Sequence, residues 1–402
     1  MVVGASLAGA RAADALRRQG FAGTLDLVGA EKHPPYERPP LSKQILAGVW
    51  EFERASVDLP EDFEASWHLG RTATSLDLPS RTVALDDGSA LEFDGLVIAT
   101  GATPRALPGT EGLSNVFTLR TIEDALFLRS AAASAEHVVV IGGGFIGSEV
   151  AATLATREVW VTIVDPLPSL MGRVLGDDFG PYFEGLHSGH GVSLRLGVGV
   201  VSLESTPDGA VSCCLLSDGS RLACDVVVVG IGVTPATGWL AGSGVALDPA
   251  DGSVVCDGTC AVLGENGAVL EGIVAAGDVA RWDHPLFGRP VRVEHWENAV
   301  AMGEAAALRL MAVPGAETGY LDVPLFWSDQ FGKKIQFVGL RSPGDEVLLV
   351  EGSTEEGKFL AVYSRDRVLT GALGVGRPAR IIALRNLIAE RATVEAVYSE
   401  RS

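Results

Sequence analysis

The sequence predicts an α/β chain that uses one supersecondary unit twice and ends in a small antiparallel sheet closed by a helix. Three observations predict it. A strand, glycine turn, helix and second strand follow one another across residues 137–165. A second copy of this run, with one glycine replaced, opens the chain. From Tyr320 the texture changes to short alternating strands and one last helix.

The central run is the clearest. Residues 138–141 are branched and apolar, and Gly142-Gly143-Gly144 follows at once. A helix-forming stretch from Phe145 contains Gly147 and Glu149, and a second apolar strand ends on Asp165. Gly142 allows the turn, Gly144 lets backbone approach a pyrophosphate, and Gly147 lets helix and strand pack closely. The helix N-terminus offers N–H groups to phosphate, and Asp165 stands where an acid reaches ribose hydroxyls. Glycine spacing alone is weak evidence in a chain with 49 glycines. Strand, helix, second strand and terminal acid in phase make it a dinucleotide site.

The opening copy runs Val2-Val3, Gly4, Ser6, Gly9, an Ala/Arg/Leu-rich helix, a strand over 24–28, and Glu31 as the candidate ribose acid. Ser6 replaces the middle glycine. Two copies point to two dinucleotides, a flavin held permanently and a nicotinamide that comes and goes.

Between the copies, prolines around Tyr36 and Arg38 predict a rigid, largely non-helical frame that places Arg38 and Lys43. Residues 81–93 read as a hairpin, followed by a buried strand ending in Ala99-Thr100-Gly101. The same order of hairpin, apolar strand and small-residue turn returns over 211–235, which suggests two related sheet domains. Residues 272–280 are a strand running into a turn that carries Asp278, a polyol acceptor or an ordinary helix cap. A small-residue helix follows His295-Trp296, and strands at 334–340, 346–351, 358–364 and 367–374 precede a helix from Pro378.

Composition narrows the function classes. With 402 residues, two or three domains are expected. A formal charge of −20 disfavours a nucleic-acid surface. No basic leader precedes an apolar run, and no uncharged stretch approaches the roughly 18 residues of a spanning helix, so neither export nor a membrane is expected. Cys213, Cys214, Cys224, Cys256 and Cys260 form no CxxC pair and no zinc or iron–sulfur spacing. They read as thiols in a reducing cytoplasm, although Cys256 and Cys260 stand close enough in sequence to meet.

The motifs GASLAG (4–9), YERPPLSK (36–43), ATG (99–101), VVIGGGFIGSE (139–149), AAGDVA (275–280), HWENA (295–299) and FWSDQFGKKIQFVG (326–339) span nearly the whole chain. Together they resemble the FAD-dependent, NADH-oxidising ferredoxin reductases of bacterial oxygenase systems. The resemblance implies two Rossmann-like domains of glutathione-reductase type and a small α+β C-terminal domain closing over the flavin. The FAD domain would be split over 1–108 and 233–318, with the NADH domain at 109–232 and the last domain at 319–402. Gly4, Ser6, Gly9, Glu31, Arg38, Lys43, Thr100, Gly101, Asp278 and Trp296 fall on flavin positions, and Gly142, Gly144, Gly147 and Asp165 on those of NADH. Lys43 and Glu149 resemble a polar pair near flavin N5 and the nicotinamide amide. Trp296 and Trp327 resemble aromatics at the electron-transfer face.

The implied partner is a small ferredoxin serving a haem monooxygenase, docked on a local basic patch drawn from Arg289 and Arg292, Lys333 and Lys334, or Arg377 and Arg380. A monomer or weak homodimer is expected. The competing readings are an NADH oxidase, a flavin disulfide reductase, a flavin monooxygenase and a non-enzymatic, apoptosis-factor-like flavoprotein. Ser42 stands where the first two would carry a cysteine, so Ser42 and all five cysteines are expected to be dispensable.

Overall fold

The computed structural model describes residues 1–157 and 159–399. The chain forms two compact units, each built from separated segments. Unit 1 comprises Met1–Glu37, Ser56–Thr103 and Thr234–Phe326, and unit 2 comprises Arg38–Ala55, Pro104–Val233 and Trp327–Ser402. Residues 38–55 and the C-terminal segment therefore group with residues 104–233.

In unit 1, strand Val2–Val3 lies between the parallel strands Asp26–Gly29 and Leu96–Ile98. Val269–Ala275 extends the parallel run beyond Leu96–Ile98, and Ser66–Leu69 extends it beyond Asp26–Gly29. The central strands Val2–Val3 and Leu96–Ile98 are apolar and fully buried, as strands covered on both faces are. Helix Leu7–Arg18 packs against helix Trp296–Leu310, where a Cβ on Gly303 would meet the Ala8 carbonyl oxygen at 2.5 Å. The hairpin predicted over 81–93 is present and gains Ala73–Asp77 as a third strand.

Unit 2 repeats the plan. His137–Ile141 lies between the parallel strands Trp160–Asp165 and Val226–Val229, and helix Phe145–Ala155 follows it. A three-stranded antiparallel sheet, Val200–Ser205, Val211–Leu216 and Arg221–Ala223, precedes Val226–Val229, matching the hairpin and strand of unit 1. The internal repeat expected from the sequence is real at this level.

The C-terminal segment is a five-stranded sheet backed by helix Pro378–Ala389. Its strand Leu325–Gln330 was not foreseen. Within unit 2 this sheet packs on helix Gly180–Ser188: Phe179 stacks on Phe359 at 5.3 Å, and Tyr182 meets Phe359 edge-on. The Tyr363 hydroxyl donates to the Leu175 carbonyl at 2.8 Å, satisfying a phenol that is otherwise fully buried.

The segment around Lys43 departs from the expected non-helical frame. Leu41–Ile45 is a π-helical turn that starts directly after Pro40. Proline lacks an N–H and has a fixed φ, which suits the beginning of a helix as well as it suits an extended segment.

Candidate active site

The two glycine turns have the same backbone. Gly4 and Gly142 both have φ +111°, a region closed to residues with a Cβ. A Cβ on Gly4 would lie 2.1 Å from the Ala99 carbonyl oxygen, and one on Gly142 would lie 2.3 Å from that of Gly230. A Cβ on Gly9 would strike the Gly4 oxygen at 1.8 Å, and one on Gly147 the Gly142 oxygen at 2.0 Å. The first and third glycines are therefore required by the protein's own packing. The middle position differs in kind: nothing lies within 4 Å of a Cβ built on Gly144. Open space at the N-cap of an eleven-residue helix fits a phosphate seat. In unit 1 this N-cap is Ser6, at φ −91°, which a serine adopts without strain.

The two acids are held differently. Asp165 accepts from the Gly143 N–H at 2.6 Å through Oδ2 and from the Leu167 N–H at 2.7 Å through Oδ1. It braces the turn it serves, and a carboxylate keeps lone pairs for further donors. Glu31, at the end of the corresponding strand region, accepts from the Tyr36 hydroxyl. The Thr100 hydroxyl donates to the Ala236 carbonyl at 2.8 Å, and Ala236 N–H returns to Gly101 at 2.9 Å. These bonds tie the two halves of unit 1 together. Asp278 sits in the 3-10 turn Gly277–Val279, half-buried, with its carbonyl bonded by Arg292. Trp296 begins the long helix of unit 1. In unit 2, Arg38 donates to the Arg120 carbonyl, and Trp327 lies 5.9 Å below the Lys334 ammonium.

A buried polar cluster lies in unit 2. Glu149, on the helix after the second glycine turn, is buried and accepts from Lys43 Nζ at 2.8 Å and Ser42 Oγ at 2.5 Å, both on Oε2. Ser328 Oγ donates to its other oxygen at 2.6 Å. Lys43 Nζ also donates to the Pro39 carbonyl at 3.1 Å, and Thr153 Oγ1 donates to the Ser42 carbonyl at 2.7 Å, fixing the π turn on the helix. A buried ion pair is held this way only when further hydrogen bonds satisfy both partners. Lys43 and Glu149 were foreseen as a pair. Ser42 was expected only to be dispensable for the redox step, and its hydroxyl belongs to the cluster. Ser328, Gln330 and His187 were missed altogether.

Two further expectations need correction. The Arg292 side chain is only 13% exposed and is committed to Asp251 at 2.8 Å and Glu294 at 2.6 Å, so it is an interior ion-pair cation. Burial pushes Asp251 up, but Ser253, Arg281 and Arg292 outweigh it and hold the carboxyl well below its usual range. Arg377 and Arg380 both reach Glu351, which offsets their charge locally. All five cysteines are free and buried. The sulfurs of Cys214, on strand Val211–Leu216, and Cys224, just past strand Arg221–Ala223, lie 3.8 Å apart in an apolar core. Burial raises the Cys256 thiol, and Cys260 is pushed up to about 12, so neither is poised as a thiolate. Among the described residues no cluster is suited to a metal ion, and no helix is long and apolar enough to cross a membrane.

Residues 1–303 match the pyridine nucleotide-disulphide oxidoreductase family, and residues 325–399 match the reductase C-terminal family. The chain is 36% identical to rhodocoxin reductase of Rhodococcus erythropolis, over 97% of this chain and 89% of that protein. It is likewise 36% identical to putidaredoxin reductase of Pseudomonas putida, over 98% of this chain and 92% of that one. Its fold is similar to the reductase in the covalent putidaredoxin reductase–putidaredoxin complex, with a TM-score of 0.90 and 32% identity over 97% of this chain and 92% of that one. The chain belongs to the FAD-dependent NADH:ferredoxin reductases of the putidaredoxin and rhodocoxin reductase type.

Proposed function

We propose that unit 1 holds FAD through Gly4, Ser6, Gly9, Glu31 and Asp278, and that unit 2 receives NADH on Gly142, Gly144, Gly147 and Asp165. The observation that carries this reading is the pair of glycine turns with matched backbone geometry in one chain whose thiols are all buried. When bound, FAD supplies acceptance of a hydride from NADH and its return as single electrons.

The chain's own groups bind and orient. The Gly142–Gly147 turn and its helix seat the pyrophosphate, and Asp165 receives the ribose hydroxyls while repelling a 2′-phosphate. Lys43 and Glu149 present a donor and an acceptor side by side, the complement of a carboxamide. They hold the nicotinamide amide and need carry no proton. Trp296 in unit 1 and Trp327 in unit 2 each serve electron transfer in this reading.

The electrons go to a small iron–sulfur ferredoxin that serves an oxygenase, a haem monooxygenase in this reading. Support comes from the putidaredoxin complex formed by the structural relative. The docking cations in this reading are Lys333 and Lys334, beside Trp327, with Arg289 as a lesser candidate. The unbridged thiols suit a reducing cytoplasm.

Acid precipitation should release yellow FAD into solution, and kcat/KM should strongly favour NADH over NADPH. Colour left on the pellet, or equal values for the two nucleotides, would overturn the assignment. Charge reversal of Lys333 with Lys334 should raise KM for the ferredoxin and leave reduction by NADH unchanged.

A further inference from the structure

Strand Leu325–Gln330 alternates: Ser328 and Gln330 are buried on one face, and Trp327 and Asp329 lie half-buried on the other. The buried face continues the Glu149 cluster. Gln330 Nε2 donates to Ser328 Oγ at 3.0 Å, and Gln330 Oε1 lies 2.9 Å from His187 Nε2, on the helix Gly180–Ser188. Gln330 Nε2 also faces the Met171 sulfur at 3.6 Å.

The direction of every link follows from which atoms can give a proton. A carboxylate only accepts, so Ser328 spends its one hydroxyl proton on Glu149. Ser328 must then accept from its other neighbour, which turns the Gln330 amide nitrogen toward it. The amide oxygen is left facing His187, so the imidazole donates from Nε2. The other ring nitrogen, Nδ1, is buried with no hydrogen-bond partner. Burial lowers the His187 pKa against the opposing hydrogen bond it donates to Gln330, so the neutral ring with a single N–H is the form present near neutral pH.

We infer that Ser328, Gln330 and His187 are positioning residues for the hydride-transfer step: a one-way chain of donors that locks the Glu149 carboxylate and, through it, the Lys43 ammonium. The inference rests on the reading that the Lys43–Glu149 pair orients the nicotinamide. Ser328 holds Oε1 while Ser42 and Lys43 hold Oε2, so the carboxylate is fixed from both sides. Without Ser328 it can turn about its last torsion, and Lys43 turns with it. The C-terminal segment thereby supplies part of the NADH site of unit 2. A misplacement of about 1 Å far from the reacting atoms can cost about a hundredfold in rate.

The test uses FAD-loaded Ser328→Ala, Ser328→Thr, Gln330→Met and Glu149→Gln proteins, and the double variant Glu149→Gln with Gln330→Met. Each is mixed anaerobically with NADH over a range of concentrations while flavin absorbance is followed. Ser328→Ala and Gln330→Met should slow the limiting reduction rate about 10- to 100-fold, with the NADH concentration at half-maximal rate and the Tm nearly unchanged. Ser328→Thr should restore the rate. In the Glu149→Gln background, Gln330→Met should add nothing further. If Glu149→Gln is slow while Ser328→Ala and Gln330→Met run at the parental rate, or if Gln330→Met slows the Glu149→Gln protein by its full factor, the positioning chain is wrong. If Glu149→Gln itself reduces at the parental rate, the underlying reading of the pair is what fails. Gln330→Met keeps the side-chain volume, and Ser328→Ala removes a single atom, so one folded variant suffices for the decision.

Discussion

The two glycine turns share a backbone and part at one position. In both, the first glycine has φ +111° and sits against a carbonyl oxygen from a neighbouring strand end, and the third sits against the first. In unit 2 the middle residue is Gly144, opening onto empty space. In unit 1 it is Ser6, at the helix N-cap. The acids follow suit: Asp165 braces its own turn through two backbone N–H groups, whereas Glu31 is engaged by the Tyr36 hydroxyl. The shared glycines answer to folding, and the differing one answers to the ligand. In the proposed reading, the turn with the bare middle position takes the exchanging NADH and the turn with Ser6 takes the retained FAD.

The largest effect should come from breaking the shared part. Gly142→Ala places a Cβ 2.3 Å from the Gly230 oxygen at a φ closed to alanine, and should cost more than about 3 kcal/mol of stability. Gly4→Ala should do the same to unit 1, so thermal melts should show both as failures of folding. Gly144→Ala meets nothing within 4 Å and should change stability by no more than about 0.5 kcal/mol, while raising the Kd for NADH. Unchanged NADH affinity there would break the distinction between the glycines.

Asp165→Ala comes next. It strands the Gly143 and Leu167 N–H groups, a loss of about 1–3 kcal/mol. It should lower kcat/KM for NADH more than for NADPH. A parallel fall in both would mean that Asp165 only braces the turn.

The units should also differ in acid. His187 is held neutral by burial in unit 2. Its folded pKa lies below its unfolded value, so the unfolded chain binds the extra proton. Stability from this group is complete above about pH 6.5 and is lost as pH falls below it. The hydrogen-exchange protection factors of helix Gly180–Ser188, corrected for the intrinsic rate at each pH, should fall on acidification, and His187→Gln should remove that part of the pH dependence. The smallest effect belongs to Ser6→Gly, which should leave FAD retention and stability within about 0.5 kcal/mol of the parent.

How much of this the sequence discloses depends on distance along the chain. The glycine turns, the flanking strands and the acids lie within one short stretch each, where spacing and hydrophobic period suffice. The internal repeat was legible because its hairpins recur in the same order before each buried strand. The Glu149 cluster was legible only in part. The resemblance paired Lys43 with Glu149, but Ser42, Ser328, Gln330 and His187 come from three elements that only the tertiary fold brings together. Small polar side chains carry no local signal of burial. The π turn at Leu41–Ile45 was hidden by prolines that fit either a helix start or a rigid coil. Arg292 read as a surface cation because its partner Asp251 lies on a distant loop.

The central claim is that electrons enter from NADH and leave to a ferredoxin. The most direct measurement is anaerobic stopped-flow of the FAD-loaded protein. NADH is mixed in first, followed by each small iron–sulfur ferredoxin of the same organism, with flavin and ferredoxin absorbance recorded together. The account predicts rapid bleaching by NADH, little bleaching by NADPH, and prompt flavin reoxidation matched by reduction of one ferredoxin. Bleaching by NADH with no ferredoxin able to reoxidise the flavin, while oxygen does so readily, would contradict it and make the protein an oxidase.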